Sequence, residues 1–315
     1  MLNVKLEVMN NLKFREVAEL WCADKQLYVK RSTFAAYSLV LRNHILPVFG
    51  ECRSVPERKV QEFVHGKLGE GLSAKTVKDM LVVLRMIAKY GYKHELFPFS
   101  EWDIRFPSER RSDHLPVLSV YNQRKLMRFL SDNFTFRNLG ILICLNTGMR
   151  IGEICGLKWS DVDVTEGVIS VNRTVERIYV EDGGKYKTEL IMSTPKTINS
   201  QREIPVILKL RKILKPLKMV VNDDYYVLSN SPRPIEPRTY RKYYVRLLET
   251  LGIPPIKFHG LRHSFATRCI ESKCDYKTVS TILGHSNIAT TLNLYVHPNM
   301  EQKHRCVERM AKLLG

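Results

Sequence analysis

Apolar residues recur at spacings of three and four from Leu12 to Phe97, as in Phe14, Val17, Leu20 and Trp21, which predicts amphipathic helices that each bury one face. Ser32 can cap a helix that ends at about Leu46, before Pro47 and Gly50, and Ser73 can cap another running to about Tyr90, where Gly91 ends it. About four helices in a small bundle account for this region. Beyond Pro116 the pattern predicts helices over 120–130 and 137–146, a glycine stop at Gly148, and a further helix from near Arg150. The period then shortens to two, predicting strands over 168–171, 175–180, 190–193 and 203–206, with Asp182-Gly183-Gly184 as a turn. Helices follow over 208–217, 238–251, 259–271, 276–283, 288–296 and 300–314, with a short strand over 225–228. Internal repeats and low-complexity tracts are absent from the sequence.

The expected fold is therefore mainly α with a small antiparallel sheet, an α+β chain in two domains. The polar segment from Phe106 to Pro116, bracketed by prolines and without period, reads as an extended linker. It sets a helical domain over 1–106, a linker over 107–116 and a second domain over 117–315.

Charge changes this picture from a generic fold to a candidate partner. The 315 residues hold 50 Lys and Arg against 32 Asp and Glu, a net charge of +18, and the excess is +5 over 1–115 but +13 over 116–315. A polyanion, nucleic acid first, is the expected partner, with most of the anion-facing surface in the second domain. With no run of 18 apolar residues and no signal-peptide pattern at the start, the chain reads as cytoplasmic, without a membrane partner. Seven cysteines make no CxxC pair, so they are expected to be reduced and mostly buried thiols. His259 and His263 have the spacing of two helical metal ligands, but Gly260 stands where a metalloprotease needs its general base, and no metal is expected.

Three segments set polar groups where core is expected. In Thr147-Gly148-Met149-Arg150-Ile151-Gly152-Glu153 a glycine turn delivers an arginine at a helix start, with a glutamate one turn on. Taken alone, such a pair is a surface ion pair worth about 0.2–0.5 kcal/mol. In His259-Gly260-Leu261-Arg262-His263-Ser264-Phe265 an imidazole and a guanidinium three residues apart share the face of a helix start, where free N–H groups favour anions. In Leu283-Gly284-His285 a histidine follows a helix-ending glycine, and Tyr295 lies ten residues later in Asn293-Leu294-Tyr295-Val296-His297.

Two arginines, two histidines and a tyrosine in this order resemble the tyrosine recombinase family of phage integrases, and the wording around them is most similar to integrases of phages and conjugative transposons. The resemblance spans both domains. It implies that Arg150 and Arg262 hold the scissile phosphate, that His259 and His285 are the histidines, and that Tyr295 is the nucleophile. It matches Lys196 of Ser193-Thr194-Pro195-Lys196-Thr197 to the lysine of a strand-turn-strand hairpin, with Lys185 and Lys187 as rivals, and Glu153 to an acidic position that supports the site. The chemistry fits these residue types. Guanidinium stays protonated while charge builds on the phosphoryl oxygens, a phenol of pKa about 10 needs a base, and the departing 5′ oxygen needs a proton. No cofactor is then required, Mg2+ included.

The resemblance further implies a C-shaped clamp on double-stranded DNA and a homotetramer that holds two sites and exchanges C-terminal helices. The last helix, with Val307, Met310, Leu313 and Leu314 on one stripe, is the segment expected to dock on a neighbour, the alternative being packing on its own domain. Arg238, Thr239, Arg241 and Lys242, at a helix start, and Lys75, Thr76 and Lys78 in the first domain are the expected DNA-binding residues. Similar integrases that bridge two classes of site carry an extra amino-terminal domain, and about ten residues precede the helical domain here. Simple sites, or a domain separated from this chain, are both compatible with that. The expected function is a site-specific recombinase for integration, excision or inversion in a nucleoid-associated setting. The alternatives are a type IB topoisomerase-like enzyme that relaxes DNA and a DNA-binding regulator that cleaves nothing. If Tyr295 is not the nucleophile, Tyr243, Tyr244 and Tyr276 come next.

Overall fold

The computed structural model describes residues 12–108, 116–182, 185–193 and 201–295, with isolated positions between 300 and 312. The chain divides into two compact units, Met1–Arg111 with Ile178–Glu189, and Ser112–Arg177 with Leu190–Gly315. Residues 109–115 of the expected linker lie outside the described residues.

The first unit is built from α1 (Phe14–Lys25), α2 (Arg31–Val40), α3 (Leu46–Phe49), α4 (Glu57–Gly69) and α5 (Ala74–Lys93). Their apolar faces meet in one core, where Phe14 meets Phe97 at 5.7 Å between ring centroids and Phe49 meets Phe63 at 5.3 Å, both edge-on. Ser73 caps α5 as expected, its hydroxyl accepting the Thr76 N–H at 3.1 Å. Ser32 does not cap α2, because the helix begins two residues earlier, with Lys30 at the cap position.

Two expected helix ends are also displaced. Pro47 has no N–H and its ring crowds the carbonyl four residues back. The chain accommodates it by widening into a π-helical stretch over Leu41–Ile45, where the Leu46 N–H donates to the Leu41 carbonyl, and helical structure continues to Phe49. Gly91 lies within α5 instead of ending it. A Cβ there would sit 2.7 Å from Phe97 Cβ and 2.8 Å from Val17 Cγ1, so this glycine lets α1 and the segment after α5 close against the helix.

The second unit begins with α6 (Val120–Asp132), α7 (Phe136–Thr147) and the short α8 (Ile151–Cys155). Nearly every residue of α7 is buried, which suits its continuous apolar run. The expected single sheet is two. Strands β1 (Val162–Asp163), β2 (Val168–Val171) and β5 (Arg202–Pro205) form an antiparallel sheet in the order β1-β2-β5, with Ile169 opposite Ile204 and Val171 opposite Arg202. Among the described residues the longer β3 (Thr174–Asp182) and β4 (Lys185–Ser193) form a separate two-stranded sheet, of which Ile178–Glu189 belongs to the first unit. The strand expected over 225–228 is reduced to isolated bridges of Tyr226 with Lys158 and Ser231, because the chain turns at once through Asn230, whose φ is 44°.

Helices α9 (Leu208–Lys218), α10 (Pro237–Thr250), α11 (His259–Glu271), α12 (Tyr276–Leu283) and α13 (Ile288–Tyr295) complete the described unit. The main core includes Trp159, Leu126, Ile141, Tyr240, Tyr244 and Phe258. No helix among the described residues is long and apolar enough to cross a membrane. The described cysteines are free thiols, but only Cys144 and Cys155 are buried, against the expectation that most would be: Cys22 on α1, Cys52 in the loop after α3 and Cys269 in the helix over 259–271 are half-buried, and Cys274 is exposed in the loop that follows that helix.

Candidate active site

Gly148 ends α7 in the left-handed conformation, with φ of 66°, and turns the chain so that Arg150 stands at the start of α8. A Cβ on Gly148 would meet Phe265 of α11 and Leu283 of α12 at 2.7 and 2.8 Å, so this turn packs directly against both helices. The Gly148 carbonyl accepts Arg262 Nη1 at 3.1 Å. Arg262 is 1% exposed, carried on α11 beside the buried Leu261 and Ala266.

Glu153 is the hub of the site. Its Oε2 accepts the Arg150 backbone N–H at 2.8 Å and its Oε1 accepts Arg150 Nη1 at 2.7 Å. It also receives Arg202, Nη1 on Oε1 at 3.1 Å and Nη2 on Oε2 at 3.0 Å. The carboxylate is 4% exposed. Burial alone would raise its pKa, but the hydrogen bonds and charges of Arg202 and Arg150 outweigh that and hold it below the usual carboxylate range. This is not the surface pair that spacing alone suggests.

Two further links reach the end of α12. Arg150 Nη2 donates to the Gly284 carbonyl at 3.3 Å, and Arg202 Nε to the Ile282 carbonyl at 2.5 Å. Gly284, at φ of 65°, closes α12 and hands the chain to His285. His285 Nδ1 lies 2.8 Å from the hydroxyl of Thr291, which is fully buried on α13.

The imidazoles are held neutral. His285 is pushed down to about 4 by burial and by the positive charges of Arg262, Arg150 and Arg202. His259 is lowered by burial, Arg262 and Arg150. His263 meets the His259 ring edge-on at 4.5 Å and is pushed down to about 4 by burial, His259 and Arg262. The same cations act on both His259 and His285, so the four groups converge on one electropositive place where an anion would find compensation.

The remaining expectations divide clearly. Lys196 lies outside the described residues, as does the side chain of Tyr295, whose backbone ends α13. Lys187 is exposed on β4, and the Lys185 side chain is outside the described set. Of the other tyrosines, Tyr244 is fully buried, Tyr243 donates to Asn138, and Tyr276 is exposed at the start of α12. Arg238, Thr239, Arg241 and Lys242 are exposed on the first turns of α10. Lys75, Thr76 and Lys78 are exposed at the start of α5, where Thr76 takes part in the Ser73 cap and Lys78 Nζ lies 4.8 Å from the Phe106 ring centroid. Val307 and Met310 are exposed, while Leu313 and Leu314 lie outside the described residues. Among the described residues no group of three or more His, Cys, Asp or Glu is arranged to hold a metal ion.

Arg202 and Thr291 escape the sequence reading. The signal for Arg202 was available, since it shares a strand face with the buried Ile204, and a charge at an inward position implies a buried partner. Thr291 carries no comparable signal.

The profile of the phage integrase family matches residues 117–302, and that of the phage integrase N-terminal SAM-like domain matches residues 13–53. The chain is 29% identical to a "Tyrosine recombinase XerC-like" protein of Caldanaerobacter subterraneus subsp. tengcongensis, covering 90% of this chain and 78% of that protein. It is 22% identical to the ICEBs1 integrase of Bacillus subtilis, covering 96% of this chain and 84% of that protein. In fold it is similar to the Tn1549 transposon integrase solved with a circular intermediate DNA, with a TM-score of 0.78, 21% identity and coverage of 95% of this chain and 100% of that one. It is also similar to a lambda integrase tetramer bound to a Holliday junction, with a TM-score of 0.63, 17% identity and coverage of 95% and 83%.

Proposed function

The chain belongs to the phage integrase family and is a tyrosine-type site-specific recombinase of a mobile element, and we propose that it cleaves and rejoins double-stranded DNA at the cluster of Arg150, Arg262, His259 and His285. The observation that carries this assignment is the joining of the two arginines at one turn: the Gly148 carbonyl seats Arg262, while Arg150, two residues on, is braced by the buried Glu153 and reaches the Gly284 carbonyl beside His285. An uncleaving DNA-binding regulator has no need of it.

In this reading Arg150 and Arg262 cover the non-bridging oxygens of the scissile phosphate, on which charge accumulates as the phosphorus is attacked. His259, neutral at working pH, accepts the phenolic proton of Tyr295. The Tyr295 oxygen forms a bond to phosphorus, the bond to the 5′ oxygen breaks, and Lys196 protonates the departing oxygen. His285 donates from Nε2 to a non-bridging oxygen, with Nδ1 engaged by Thr291. The product is a 3′-phosphotyrosyl link and a free 5′ hydroxyl, which conserves the bond so that no nucleotide cofactor is needed to reseal the strand. Attack by a 5′ hydroxyl from a second duplex exchanges strands.

The domains proposed for this work are the helical 1–106, the linker 107–116 and the catalytic 117–315. The exposed basic turns at Arg238, Arg241 and Lys242, with Thr239, and at Lys75 and Lys78, with Thr76, are assigned to the duplex. A lambda integrase assembles as a tetramer on a Holliday junction, and the same assembly is proposed here, with the helix bearing Val307 and Met310 exchanged between protomers.

A nicked suicide substrate drawn from the DNA flanking the gene tests the assignment by gel detection of covalent adduct. Adduct at a defined position, followed by strand exchange, is expected. Site-independent relaxation by a monomer would indicate the topoisomerase-like alternative, and specific binding without adduct the regulator.

A further inference from the structure

We propose that Arg202 is a positioning residue for strand cleavage, holding Glu153 in the one orientation in which Arg150 and the turn carrying His285 can meet the same phosphate. The inference rests on the catalytic reading above and extends it to a residue with no expected role.

The Arg202 side chain is 5% exposed, too enclosed to reach a phosphate itself. All three of its nitrogens are committed inward, two on the carboxylate of Glu153 and one on the Ile282 carbonyl. Together with the backbone N–H and Nη1 of Arg150, four N–H groups converge on one carboxylate, which matches its acceptor capacity. The free carbonyls at the end of α12 are partners that suit cations. Arg202 takes Ile282 and Arg150 takes Gly284, so β5, α8 and α12 are tied through one ion cluster immediately before His285. Lys196 precedes Arg202 by six residues in the chain, which links the same strand to the lysine assigned to the leaving group.

A lysine could replace the charge of Arg202 but not its planar fork with a third donor at Nε. Loss of the fork leaves Glu153 held by Arg150 alone, free to rotate, and displaces Arg150 and the α12 carbonyls together. Misplacing a catalytic group by about 1 Å costs on the order of 100-fold in rate.

The experiment compares single-turnover adduct formation on a suicide substrate, at saturating DNA, for the full chain and for Arg202→Lys, Arg202→Gln, Glu153→Gln and the Arg202→Gln/Glu153→Gln double variant. DNA affinity by gel shift and thermal midpoint are read in parallel. The expected result is a rate loss of about 10- to 100-fold for Arg202→Gln with affinity within about twofold, and no more than about threefold additional loss when Glu153 is already Gln, because the two act as a unit. Arg202→Lys should remain slow. Arg202→Gln alone should also lose rate from a higher pH on the acid side than the unaltered protein, since the buried Glu153 then keeps only Arg150, with His259 and Cys144 as the other titratable groups acting on it.

A wild-type rate in either Arg202 variant would overturn the proposal, as would an undiminished loss in the Glu153→Gln background or a fall in affinity that tracks the thermal midpoint. Absence of adduct from the unaltered protein would instead strike the catalytic reading, and this inference with it.

Discussion

His285 turns its Nδ1 onto the buried hydroxyl of Thr291 at 2.8 Å, which joins the turn after α12 to the helix that ends in Tyr295. Thr291 lies one helical turn before Tyr295, so the contact fixes the histidine ring and the helix of the proposed nucleophile relative to each other. Thr291→Val removes the hydrogen bond with little change in volume. A buried bond of this kind contributes about 1 kcal/mol, so adduct formation should slow by about five- to tenfold while Thr291→Ser stays near the original rate. Single-turnover cleavage of a suicide substrate measures both, and equal rates for all three proteins would remove Thr291 from the mechanism.

Tyr295→Phe should abolish covalent trapping and leave specific DNA binding within about twofold, because only the attacking oxygen is lost. Adduct that persists would shift attention to Tyr276, exposed at the start of α12, since Tyr244 is buried and Tyr243 is engaged by Asn138. EDTA should leave the rate unchanged, and inhibition by chelation would contradict a mechanism whose phosphate charge is covered by arginine.

Stability should decline in mild acid. His263 and His285 titrate near 6.5 when unfolded and at about 4 when folded. Their contribution is complete above pH 6.5 and is lost as the pH falls toward 4, where the unfolded chain binds protons that the folded one refuses. Glu153, lowered by its arginines, adds a loss in the same direction at still lower pH. Urea midpoints at pH 7.5, 6 and 5 test this, and His263→Gln should flatten part of the slope. A midpoint constant across that range would mean that these rings accept protons in the folded state.

DNA affinity should fall steeply with salt, as displacement of counterions from about 6 to 10 phosphates requires. Replacing Arg241 or Lys242 by Ala should lower the slope by about one for each phosphate left without its cation and weaken unrelated sequences equally. A flat salt profile would be incompatible with the basic turns of α10 as a duplex surface.

The helix-to-strand order and most element limits are legible because burial on one face imposes its period on the sequence, as in α6 and α9. Punctuation by proline and glycine reads less well, because each has two uses. Pro47 is passed by a π-helical stretch that shifts the local hydrogen bonding, and Gly91 serves close packing within α5 against Val17, which is remote in sequence. The pairing of β3 with β4 apart from the other strands is invisible to alternation, which specifies a face and not a neighbour. In the candidate site, motifs mark Arg150, Glu153, Arg262 and His285, whereas the contacts of Arg202 join β5, α8 and α12 and that of Thr291 joins α13 to the turn after α12, pairings that only the assembled fold creates.

Gly148 supplies the carbonyl that seats Arg262, the bend that launches Arg150 and the bare surface against which Phe265 and Leu283 close. In a saturation scan of the gene, one of the codons least tolerant of change would then be one that encodes no functional group at all. Attempts to evolve new site preferences in this recombinase would do best to leave that position fixed and spend their diversity on the exposed basic turns.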